Sequence, residues 1–136
     1  VPVGAVLVES FSGKIVAAAG NQVEGLHDPT AHAAMLVLRL GGQRLCAPRL
    51  PGCDLYVTLE PCPMCAGATI VGRIREIFYA FEDPKMGAMG GATSLHELPG
   101  SNHKPVVHQG IMREECLRLT QAFFRLRRRE SSPKVD

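Results

Sequence analysis

The 136-residue sequence contains no apolar run near the ~18 residues that a membrane-spanning helix requires, and no membrane partner is expected. It shows no signal-peptide pattern, which predicts a cytoplasmic protein rather than a secreted one. Internal repeats and linkers are absent, and 14 Gly with 10 Pro fall short of a disordered composition. The five cysteines are an odd number, which a fully paired disulfide framework cannot use. What remains is 46% hydrophobic and 21% charged, the balance of one soluble domain spanning residues 1–136.

Acid is missing from one stretch. Residues 118–129 hold Arg118, Arg125, Arg127, Arg128 and Arg129 with no Asp or Glu, and without these five the net charge of +2 becomes −3. A basic end on an acidic body suits a polyanionic partner. On charge alone, a solvated helix end favoured by the helix dipole is the better reading.

Short β-branched runs at 3–8 and 15–18 around Ser12-Gly13-Lys14 read as a β-hairpin. Asp28-Pro29-Thr30 signals a helix start, and the helix is expected over about 31–40, with Gly41-Gly42 stopping it. Strands at 54–58 and 75–80 flank a helix over about 64–71 whose start is bracketed by Pro61 and Pro63, a βαβ unit. Residues 84–100 read mostly as loop, and 106–108 as a weak strand. Apolar positions Ile111, Cys116, Leu119, Ala122, Phe123 and Leu126 recur at helical spacing and predict a closing basic helix over about 111–130. The order of elements is α/β.

Cys62-Pro63-Met64-Cys65 with His32 thirty residues upstream forms a plausible zinc set. His32, Cys62 and Cys65 are all placed in first turns of helices, where the dipole favours thiolate. Three ligands would leave a corner open for a water made nucleophilic by the metal. The spacing alone fits a redox pair equally well. Cys46, Cys53 and Cys116 lack such spacing and are read as small buried hydrophobes.

His32-Ala33-Ala34 followed by Thr58-Leu59-Glu60-Pro61-Cys62-Pro63-Met64-Cys65 resembles the H-x-E … P-C-x-x-C signature of zinc-dependent nucleoside and nucleobase deaminases. Residues 1–8, 27–33, 99–103 and 123–128 extend the likeness to the bacterial tRNA-specific adenosine deaminases, over about 1–130. The resemblance implies a three-layer α/β/α cytidine-deaminase-like fold with a five-stranded mixed central sheet. It also implies Zn2+ on His32, Cys62 and Cys65, and a homodimer that converts adenosine to inosine at the wobble position of a tRNA anticodon stem-loop. Position by position, it assigns Asn21 and the Ala33 N–H to the flipped nucleoside and Asp83 to the nucleotide backbone. Asn102 and His103 match a groove-lining loop, and Phe124, Arg125, Arg127 and Arg128 match the helix that meets the RNA.

Two features depart from the family. Ala34 stands where the family has the glutamate that shuttles protons, so intact metal binding and nearly absent turnover are expected. An introduced substitution that traps substrate and a natural non-catalytic RNA-binding partner subunit both fit Ala34. A small-molecule purine or cytosine deaminase on the same scaffold is a further alternative, against which the arginine cluster argues. The second departure is the helix that the family carries ahead of the first strand. The sequence begins inside that strand, so one apolar sheet face is expected to lie uncovered.

Overall fold

The computed structural model describes residues 3–131, without the side chains of 120, 123, 124 and 127–131. Five strands, β1 (Gly4–Glu9), β2 (Ile15–Gly20), β3 (Cys53–Leu59), β4 (Glu76–Phe81) and β5 (Val106–Gln109), form one sheet in the order β2-β1-β3-β4-β5. β1 runs antiparallel to β2 and β3, whereas β3, β4 and β5 are parallel, so the sheet is mixed. The helices are α1 (Val23–Leu26), α2 (Ala33–Leu45), α3 (Pro63–Val71) and α4 (Arg113–Ser131). α3 is the crossover between the parallel pair β3 and β4, as the βαβ pattern requires.

Alternation along the strands sorts the side chains into two faces. Ala5, Leu7, Leu55, Val57, Ile77 and Tyr79 are buried in a core with Val37 of α2 and Cys65 and Ala66 of α3. On the opposite face Tyr56, Phe78 and His108 stack in register across three strands, with centroids 4.5 Å apart in each pair. Ile111 and Met112, just ahead of α4, and Cys116 in its first turns join Tyr56, Phe78 and Ala80 around a shallow groove of about 580 Å³ on that face. Helices therefore lie on both sides of the sheet, in the three-layer α/β/α arrangement. No helix among the described residues is long and apolar enough to cross a membrane.

Several local expectations need correction. α2 does not stop at Gly41-Gly42 but continues to Leu45, ending where Cys46 turns left-handed at φ 51°. Gly41 is buried against Leu7 of β1, and its missing side chain allows close packing of helix on sheet rather than a break. Asp28 does not cap α2 either: it accepts from the Thr30 N–H at 2.8 Å and the Thr30 hydroxyl at 2.7 Å, closing the turn that precedes His32. Cys46 is exposed at the helix end rather than buried, and Cys116 is only half-buried; Cys53 is buried as expected.

Candidate metal centre

The two helix starts converge at one end of the sheet. His32 is the N-cap of α2 and Cys62 the N-cap of α3, with Pro63 as first helical residue and Cys65 two positions further on. Both N-caps are extended, at ψ 149° for His32 and 173° for Cys62, which turns their side chains off the helix axis. His32 Nδ1 lies 3.6 Å from the Cys62 Sγ and 3.6 Å from the Cys65 Sγ. A tetrahedral zinc about 2.3 Å from sulfur and 2.0–2.1 Å from nitrogen demands an N···S separation of about 3.5 Å. The three side chains are thus spaced for zinc, and among the described residues they form the one such ligand group.

The electrostatics favour a cation. The Cys65 thiol donates to Cys62, and with the N–H groups of Cys65 and Met64 it pulls the Cys62 thiol down to about 5. Cys65 is pushed up by the same hydrogen bond and by burial. The pair shares one proton until a metal displaces it.

A cavity of about 340 Å³ opens beside the ligands, and its wall includes Asn21, Ala33, Ala34, Glu60, Asp83 and Met86. Ala33 is the first residue of α2, where the backbone N–H has no intrahelical acceptor and remains available to a ligand. The Ala34 methyl is buried in the wall. Asn21 accepts from the Val23 N–H at 3.0 Å, bracing the turn that leads into α1, and lines the cavity. Asp83 accepts from the N–H groups of Lys85 at 3.0 Å and Met86 at 3.1 Å, shaping its own loop.

Asn102 and His103 do not reach this cavity. His103 donates from Nε2 to the Ile74 carbonyl at 2.5 Å, at the start of β4, whereas the cysteines follow the far end of the parallel β3. Arg125 is exposed on α4; the side chains of Phe124, Arg127 and Arg128 lie outside the described residues. Sequence reasoning missed Glu60, a buried carboxylate in the cavity wall. Its one signal was a charged residue between the apolar strand β3 and the metal motif.

Three protein ligands beside an open cavity are the pattern of a catalytic zinc site, at the carboxyl end of a parallel strand where α/β sheets bind ligands. Residues 1–81 match the cytidine and deoxycytidylate deaminase zinc-binding region, and the chain belongs to that family. A tRNA-specific adenosine deaminase of Agrobacterium fabrum is 44% identical over 128 residues, covering 94% of this chain and 83% of the relative. One from Bacillus subtilis is 42% identical, covering 100% and 84%. A solved structure from work on adenosine-to-inosine editing by tRNA wobble deaminases matches with TM-score 0.81 and 43% identity, over 86% of this chain and 83% of that one. A guanine deaminase of Nitrosomonas europaea matches less closely, with TM-score 0.73 and 27% identity over 89% of this chain and 71% of that one. Within the family, the chain groups with the tRNA-specific adenosine deaminases.

Proposed function

We propose that this domain, as a homodimer in the cytoplasm, binds a tRNA anticodon stem-loop and takes its wobble adenosine into the cavity beside His32, Cys62 and Cys65. The observation that carries the reading is a zinc-spaced ligand set opening on a pocket of about 340 Å³, in a chain 44% identical to a tRNA-specific adenosine deaminase. The reaction is hydrolytic: water adds at the ring carbon bearing the amino group, the C–N bond breaks, and inosine and ammonia result. A zinc ion on the three ligands supplies the Lewis acidity that makes water nucleophilic near neutral pH. Asn21 and the Ala33 N–H orient the splayed nucleoside, and Asp83 stands toward its backbone. Phe124, Arg125, Arg127 and Arg128 on α4 take the RNA strand, where phosphate contacts set position and the pocket reads the base. Asn102 and His103, being remote from the cavity, are assigned to RNA outside it.

The chain as it stands turns over at a small fraction of the rate that a glutamate at position 34 would give. An alanine methyl moves no proton, and Glu60, the buried carboxylate of the cavity wall, is held on both oxygens by backbone N–H groups. Glu60 accepts three backbone N–H groups and Asp83 accepts two. Ala34 equally supports a second reading, a non-catalytic RNA-binding partner subunit. Both are tested by assaying inosine formation on zinc-loaded protein with and without Ala34→Glu. A rise of at least about 10²-fold supports the enzyme reading, since one acid–base transfer contributes about 10²–10⁴-fold. No rise, with RNA still bound, supports the partner subunit.

A further inference from the structure

Glu60 is 2% exposed, and both oxygens of its carboxylate are hydrogen-bonded. Oε1 accepts from the Asp83 N–H at 3.0 Å, and Oε2 accepts from the N–H groups of Met89 and Gly91, each at 2.8 Å. Three charge-assisted bonds offset the cost of removing the carboxylate from water, and all three donors belong to the segment between β4 and β5. The neighbouring Pro61 carbonyl accepts from Ala88 at 2.9 Å, and the Tyr79 hydroxyl lies 3.3 Å from the Met89 carbonyl. The segment is built around this group. A Cβ at Gly87 would collide with the Glu60 carboxylate, and one at Gly91 would lie 2.5 Å from both the Asp83 carbonyl and Glu60 Oε1.

We propose that Glu60 is a positioning residue for the metal cavity. Its carboxylate ties residues 83–91 to the chain that enters α3 with Cys62, and so sets the distance between the metal ligands and the cavity wall made by Asp83 and Met86. The tie acts through Asp83, whose N–H is held by Glu60 while its own carboxylate shapes the next turn. The effect on RNA rests on the function proposed above; the tie itself does not.

The test compares the zinc-loaded chain with Glu60→Gln and Gly87→Ala. An amide offers one acceptor oxygen in place of two, so Glu60→Gln strands at least one donor while keeping shape. Gly87→Ala attacks the same bonds from the loop. The expected result is amide exchange at Asp83, Met89 and Gly91 accelerated about tenfold or more, with Ile77 in the core unchanged. About one zinc per chain is retained, and affinity for an anticodon stem-loop RNA falls about tenfold, the equivalent of about 1.4 kcal/mol. Unchanged exchange at the three amides overturns the proposal, as does loss of zinc together with faster exchange at Ile77, which marks general destabilisation. Freed amides with unaltered RNA affinity overturn the positioning role. Exchange and zinc content need no RNA, so a parent chain that binds no RNA counts against the proposed function and leaves the tie to be decided by those two measurements.

Discussion

His32 Nδ1 stands 3.6 Å from Cys62 Sγ although thirty residues separate them in the chain. With the Cys62 thiol at about 5 and Cys65 pushed up, the site at neutral pH holds one thiolate and one thiol. Zinc uptake at pH 7 therefore expels about one proton from the cysteine pair rather than two. As pH falls through about 5, Cys62 takes up a proton that the metal must also displace, so the pair's own contribution to the slope of log affinity against pH rises from about one proton to about two. Titration calorimetry in two buffers of different ionisation enthalpy counts these protons. Release of about two from the pair at pH 7 would contradict the assignment.

Removal of the metal lowers stability. A ligand bound only by the folded state stabilises it by about 2.7 kcal/mol at a free concentration one hundred times its Kd. Chelation is expected to lower the melting temperature of the parent and to leave that of Cys65→Ala unchanged, since Cys65→Ala lacks a ligand from the start. Thermal denaturation with and without chelator checks this, and equal shifts in both proteins would place the metal elsewhere.

Arg125 is exposed on α4, so its replacement costs the fold little. Arg125→Ala is expected to weaken stem-loop binding and to flatten the plot of log K against log salt, by about 0.7–0.9 for each phosphate that the arginine neutralises. A salt titration that overlays the parent returns this arginine to the solvated surface.

Gly41 sits in α2 where a Cβ would run into the Leu7 side chain. Alanine gains about 1 kcal/mol of helix propensity, whereas overpacking a close-packed core costs about 1–3 kcal/mol. Leu7 is fully buried in the core, so overpacking wins. Gly41→Ala should lower the urea midpoint, by up to about 2 kcal/mol of stability; a raised midpoint would show that Leu7 has room to move.

The same glycine shows why the end of α2 is not legible locally. Gly41-Gly42 is a stop signal by residue type, and nothing in the neighbouring residues reveals that Leu7, far away in sequence, needs the space. Asp28 misleads for a similar reason, since a capping residue closes a turn or starts a helix with the same short-range chemistry. Glu60 escapes a reading of the sequence because its partners are backbone N–H groups, which carry no mark of residue type.

Periodicity, β-branched runs and the turn residues determined the order of strands and helices, because those preferences act between near neighbours in the chain. The residue types of the metal set were likewise readable, since zinc chemistry selects imidazole and thiolate whatever the fold. Only the tertiary structure decided which groups share a cavity: it brought Asn21, Ala33, Ala34 and Asp83 beside the ligands and left Asn102 and His103 at the other end of the sheet. That outcome depends on strand order and direction, which arise from the burial of one sheet face as a whole and from no single segment.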